Sequence, residues 1–98
     1  MTGTQLSSAT LDPRRRRILY RAWRRGTREL DLLLGHFADA RLAALDDAGV
    51  ADFERLLDLP DRDLMAWLMD EIAPPPEQVS PIYVAVREFH AARPKDAR

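Results

Sequence analysis

The sequence contains no cysteine, only two histidines and four scattered glycines. Without cysteine the chain can form neither a disulfide scaffold nor a cysteine-ligated zinc or iron–sulfur site, and it has no thiol nucleophile. His36 and His90 belong to no metal-binding motif, and no glycine-rich phosphate loop is present. No apolar stretch approaches the roughly 20 residues that span a bilayer. The sequence therefore gives no positive reason to assign catalysis, and we expect no membrane insertion.

Charge is abundant in the 98 residues, and it is unevenly distributed. Residues 1–28, the basic head, carry eight arginines and one carboxylate, a net charge of +7. Residues 29–78, the acidic body, carry a net charge of −10, so the formal total of −1 hides the asymmetry. Such a distribution can steer a charged partner, and it can also hold the two parts of the chain together.

The arginines of the basic head allow three interpretations. They can bind nucleic-acid phosphates, with Tyr20 or Trp23 adding base stacking. They can instead form a solvated helix face that needs no ligand, which the acidic body favours because it repels a polyanion. They can also bind a partner protein through carboxylates, or a phosphate-bearing cofactor, since the guanidinium fork matches both groups. Composition alone does not decide among the three.

Hydrophobic residues recur with a helical period, and no segment alternates long enough to support a sheet. Prolines and capping signals divide this pattern into helices over 14–25, 27 to about 38–45, 46–57, 61–72 (through Ile72), and 81 to about 91. The connections between them are short. The sequence therefore predicts an all-α fold, a compact bundle of about five short helices.

The capping signals also set the expected domain limits. Thr27, Asp46 and Ser80 precede predicted helices as N-caps, and capping explains the aspartates at 46 and 61 better than cation binding does. We expect one helical domain over residues 13–91. It lies between a flexible N-terminal tail of residues 1–12 and a frayed C-terminal tail of residues 92–98.

An Arg-Gly-x-x-Glu motif stands in the stretch Arg24-Arg25-Gly26-Thr27-Arg28-Glu29. With the downstream run Asp63-Leu64-Met65-Ala66-Trp67-Leu68-Met69, it resembles the SdhE/Sdh5 family of flavinylation factors over roughly residues 14–90. The resemblance implies a small five-helix assembly factor that is not an enzyme. It also implies binding to the flavoprotein subunit of succinate dehydrogenase, or of fumarate reductase, and promotion of covalent FAD attachment to a histidine of that subunit.

The resemblance marks five partner-binding residues, Arg24, Arg25, Gly26, Arg28 and Glu29. Arg25 and Glu29 are four apart, so a continuous helix would place them on one face. If Gly26 makes a joint, the two helix ends can still present them together. Structural alternatives stand beside this interpretation, because Gly26 can simply end a helix, Glu29 can serve the helix dipole, and Arg25 and Glu29 can form an exposed pair.

The resemblance further implies that the chain has no cofactor of its own, since the FAD belongs to the partner flavoprotein. We expect a monomer when free, with no nucleic acid bound. The arginine run lies directly against the predicted domain, which favours a bacterial cytoplasmic protein over one of the mitochondrial matrix. The competing function is a small helical nucleic-acid-binding or regulatory protein that uses the Arg-rich N-terminal helix.

Overall fold

The computed structural model describes residues 10–92 and places most of them in five α-helices. These are α1 (Pro13–Ala22), α2 (Arg28–Arg41), α3 (Asp47–Leu57), α4 (Asp61–Leu68) and α5 (Pro81–Ala92). Short 3₁₀ turns follow α2 at Leu42–Ala44 and precede α5 at Pro76–Gln78. The all-α prediction is confirmed, and none of the described residues forms a strand.

Helices α2, α3 and α5 begin where short polar side chains accept hydrogen bonds from the first free amides. Thr27 Oγ1 accepts from the Leu30 amide at 3.3 Å, Asp46 Oδ1 from the Gly49 amide at 2.8 Å, and Ser80 Oγ from the Tyr83 amide at 3.2 Å. These amides have no carbonyl partner inside the helix, so each cap stabilises its helix by about 1 kcal/mol. The three predicted N-caps are confirmed.

The folded region starts before the predicted boundary at residue 13. Leu11 is 5% exposed and belongs to the core, and the Asp12 side chain caps α1 by accepting from the Arg15 amide at 2.9 Å. Most of the two predicted tails, residues 1–9 and 93–98, lies outside the described residues.

Two helix ends differ from the prediction. Helix α1 ends at Ala22 rather than at residue 25, and α4 ends at Leu68, so Ile72 lies outside the helix and is 62% exposed. The cause at α4 is Asp70, whose φ of 62° lies in the left-handed region. That conformation ends the helix, because the next amides turn back to bond carbonyls of its last turn.

One apolar core joins the helices. Phe37 of α2 meets Phe53 of α3 and Phe89 of α5 edge-on, with ring centroids 5.5 Å and 5.7 Å apart. Helix α1 packs against α2 and α3, and α4 adds side chains that include Trp67, 8% exposed. The arrangement leaves the connection between α1 and α2 at the surface. No helix within residues 10–92 is both long and apolar enough to cross a bilayer.

Candidate partner-binding surface

The Arg-Gly-x-x-Glu motif forms a joint between α1 and α2. Gly26 has a φ of +106°, a conformation that residues with a Cβ rarely adopt. Thr27 then caps α2, so Arg25 and Glu29 do not share one continuous helix. Their spacing allowed either one continuous helix or two helices joined at Gly26, and the structure has two helices joined at Gly26. We call residues 23–27 the docking loop.

Arg25 points into the domain rather than toward solvent. Its side chain is 9% exposed and its Nη2 lies 2.7 Å from Asp61 Oδ1. The guanidinium also donates to the carbonyl oxygens of Leu57 and Leu59, the latter at 2.8 Å. These carbonyls lie at and just beyond the end of α3, where a helix has no further amides to bond them. Arg25 therefore anchors the docking loop to the junction between α3 and α4, and its guanidinium is not an exposed contact.

Trp23 holds the first residue of the docking loop. It is 8% exposed, and its indole lies so close to α2 that a Cβ added at Gly35 would be 2.3–2.7 Å from three ring atoms. The ring also meets His36 edge-on, with centroids 5.2 Å apart. The indole therefore packs against the α2 backbone. Of the two aromatic residues of the basic head, Trp23 is buried and Tyr20 lies at the surface.

The other four predicted residues, Arg24, Gly26, Arg28 and Glu29, are exposed. Arg28 and Glu29 are the first two residues of α2, so the carboxylate of Glu29 lies beside the positive end of the helix dipole. A Cβ at Gly26 would meet only Asp61 Oδ2 among the described residues, at 3.4 Å, which is ordinary contact. Gly26 is therefore required by its φ and not by crowding, and the described residues leave its outer side open.

Tyr20 adds an aromatic group that sequence reasoning left undecided. It is 61% exposed, and the guanidinium carbon of Arg24 lies 4.1 Å from its ring centroid. A cation over an aromatic face is attracted by the negative charge of that face. In the sequence, only the four-residue spacing between Tyr20 and Arg24 indicates this contact, because residues four apart on a helix are neighbours. The helix ends between the two residues, but the contact still forms.

Three ion pairs join the basic head to the acidic body along one edge of the domain. Nη2 of the arginine lies 2.7 Å from a carboxylate oxygen in each of Arg14–Glu54, Arg21–Asp58 and Arg25–Asp61. Arg14 bonds Glu54 through two nitrogens, and this hydrogen bonding lowers the pKa of the Glu54 carboxyl. The expectation that charge asymmetry holds the two parts of the chain together is confirmed at these pairs.

The sequence matches a known family along most of the chain. The family model described as flavinator of succinate dehydrogenase, Sdh5, matches residues 16–90. The chain belongs to the Sdh5 family. The resemblance inferred from the motif is thereby confirmed, and the match runs from the third arginine of α1 to the last turns of α5.

Relatives of this Sdh5-family chain occur in bacteria and mitochondria. It is 38% identical over 81 residues to the FAD assembly factor SdhE of Acetobacter pasteurianus, covering 83% of this chain and 74% of that protein. It is 39% identical over 74 residues to the mitochondrial succinate dehydrogenase assembly factor 2 of Arabidopsis thaliana, covering 74% of this chain but 39% of that protein. The match to the factor of the same name in Mycosarcoma maydis is 49% over 51 residues, covering 52% of this chain and 21% of that protein. No solved structure gives a significant match.

The nucleic-acid alternative gains no support from these relatives, whose names all denote assembly factors. The structure adds a physical reason, because much of the basic head is bonded to carboxylates and carbonyls of the same domain. Within residues 10–92 of the Sdh5-family chain, no group of three histidine, aspartate or glutamate side chains lies close enough together to hold a metal ion.

Proposed function

We propose that this chain is an FAD assembly factor. It binds the flavoprotein subunit of succinate dehydrogenase, or of fumarate reductase, and promotes covalent attachment of FAD to that subunit. Membership of the Sdh5 family supports the proposal, and so do the names of its bacterial and mitochondrial relatives. The observation that carries it is the docking loop, which is fixed from inside by Arg25 while its outer side exposes Arg24 and Gly26.

The docking loop has the properties of a binding surface with little freedom of its own. Gly26 presents bare backbone, which allows a partner chain to approach closely. Arg24 and Arg28 flank it with guanidinium groups that fork onto carboxylates, and Glu29 accepts hydrogen bonds from donors of the partner. Because Trp23 holds the first residue of the loop and Arg25 its middle, docking requires little ordering of this chain.

The action on the partner is one of orientation. The chain binds the conformation of the flavoprotein subunit in which FAD and the target histidine are correctly placed, and the covalent bond then forms inside that subunit. The FAD belongs to the partner and would supply the chemistry of the attachment there, while this chain would contribute orientation and no cofactor of its own. The chain acts as a monomer when free and forms a complex with the subunit.

The relatives also bear on the compartment. The Acetobacter relative supports the bacterial cytoplasm as the place of action, and the plant and fungal relatives keep the mitochondrial matrix as the alternative.

Covalent flavin formation tests the proposal directly. The flavoprotein subunit is produced in cells that lack an assembly factor, with and without this chain, and in-gel flavin fluorescence is read after denaturation. We expect Glu29→Ala to lower the covalent flavin about tenfold, as loss of a central interface residue does. Glu88→Ala removes a helical carboxylate on α5 that is also exposed and should leave the flavin unchanged. Equal covalent flavin with and without this chain would contradict the proposal.

A further inference from the structure

We propose that Arg17 and Tyr20 on the outer face of α1, together with Arg24 of the docking loop, form a binding site for carboxylate groups on the partner protein. This inference rests on the proposed function and adds to it the chemistry of the partner surface. The evidence for it is that some arginines of the basic head bond oxygens of the same domain, whereas others are exposed and form no ion pair within residues 10–92.

The eight arginines of the basic head fall into two groups. Five of them bond carboxylates or carbonyl oxygens of the same domain: Arg14, Arg15, Arg16, Arg21 and Arg25. The other three are exposed and form no ion pair within residues 10–92: Arg17, Arg24 and Arg28. Glu54 and Asp58 of the acidic body therefore pair with Arg14 and Arg21 along one edge of α1. Arg17 also attracts Glu54 electrostatically but forms no ion pair with it, so its guanidinium, like that of Arg24, keeps its donors for a partner.

Arg17, Tyr20 and Arg24 form one continuous strip. Arg17 and Tyr20 are three apart on α1, so they are neighbours on the helix surface. The Arg24 guanidinium then lies over the Tyr20 ring at 4.1 Å. The strip ends within the docking loop, since Arg24 belongs to that loop and directly precedes its anchor Arg25.

The stacking of Arg24 on Tyr20 prepares the guanidinium for a carboxylate. A guanidinium carries its N–H donors along its edge, so a contact through its flat face leaves those donors available. The ring also restricts a side chain that is otherwise rich in rotamers, which lowers the entropy lost on binding. Tyr20 is 61% exposed, and tyrosine and arginine are among the residue types that most often dominate protein interfaces.

The neighbouring charges favour protein carboxylates over the phosphates of a nucleic acid. Glu29 is exposed at the start of α2, and a polynucleotide would bring further negative charge against it. The net charge of −10 on the acidic body opposes a polyanion in the same way. A protein surface can place carboxylates opposite Arg17 and Arg24 and a donor opposite Glu29, which satisfies both signs of charge.

Affinity measurements with the purified flavoprotein subunit test the inference. The full chain and its variants are titrated into the subunit, without FAD and with FAD, at several salt concentrations. We expect Arg24→Gln and Tyr20→Ala each to raise Kd about tenfold and Arg24→Gln to flatten the salt dependence. Tyr20→Phe keeps the aromatic face and should bind like the wild type. Arg41→Gln is the matched control, because Arg41 is also exposed and lies over an aromatic ring, that of Phe89, at 5.4 Å.

The outcomes separate this inference from the proposed function. Unchanged Kd for Arg24→Gln and Tyr20→Ala, with binding still lost in Glu29→Ala, would overturn this binding site and leave the assembly function standing. No binding by the wild type would overturn both. An effect of Arg24→Gln confined to the FAD-loaded subunit would overturn the carboxylate assignment in favour of FAD phosphates. Binding of a single-stranded RNA oligonucleotide that Arg24→Gln abolishes would overturn it in favour of nucleic acid.

Discussion

Replacing Arg25 by glutamine should separate the role of the motif arginine from that of its neighbour Arg24. The substitution removes the ion pair to Asp61 and the hydrogen bonds to the carbonyls of Leu57 and Leu59. A buried carbonyl left without a donor costs about 1–3 kcal/mol. The Asp61 side chain is 33% exposed, so water compensates for part of the lost ion pair. We therefore expect the free energy of unfolding to fall by about 2–4 kcal/mol.

Urea unfolding followed by tryptophan fluorescence measures this loss. Trp23 and Trp67 are each 8% exposed, so both report the opening of the core. Arg24→Gln is the control, since it removes the same charge one residue away and should lower the free energy of unfolding by less than about 1 kcal/mol. Arg25→Lys keeps the charge but not the planar fork, and its loss should be intermediate.

A loss below about 0.5 kcal/mol for Arg25→Gln would refute the reasoning, because that is the range of surface substitutions without structural contacts. An equal loss for Arg24→Gln and Arg25→Gln would refute it as well. In that case Arg25 would not be the anchor of the docking loop.

Two further predictions concern packing and pH. Gly35→Ala should lower the free energy of unfolding by about 1–3 kcal/mol, despite the better helix propensity of alanine, because its Cβ would overlap the Trp23 indole; a gain in stability in urea unfolding would contradict the contact. The pKa of Glu54 is lowered from 4.5 by its hydrogen bond with Arg14, so its contribution to stability is complete above about pH 4.5 and disappears as the pH falls through the lowered value. Glu54→Gln should therefore be less stable than the wild type at pH 7 but not at about pH 2, and a difference that persists at the lower pH would contradict this assignment.

Helix starts could be predicted from the sequence because their determinants are local. Thr27, Asp46 and Ser80 each bond an amide three residues ahead, and a short window shows both partners. The end of α4 was not predictable in this way. Asp70 takes the position that glycine usually occupies, and its side chain is paired at 2.8 Å with Arg87 of a later helix.

The site shows the same division between local and distant determinants. The motif located the docking loop and its exposed residues, but spacing within the motif says nothing about contacts with remote segments. Asp61 was expected to cap α4; the N-cap is Pro60, and the Asp61 carboxylate pairs with Arg25. The motif includes Arg25 and not Arg24, but no local pattern says which of the two guanidinium groups turns into the domain. Their opposite orientations follow from the carbonyls at the end of α3.

The anchoring of Arg25 has a consequence for any attempt to transplant the motif. A synthetic peptide that carries Arg24 to Glu29 contains every exposed group of the docking loop but none of the oxygens that hold the Arg25 guanidinium. Those oxygens come from Leu57, Leu59 and Asp61, more than thirty positions further along the chain. Competitors designed to mimic this loop would therefore need a cyclic or otherwise constrained backbone that reproduces the curvature which the distant segment imposes.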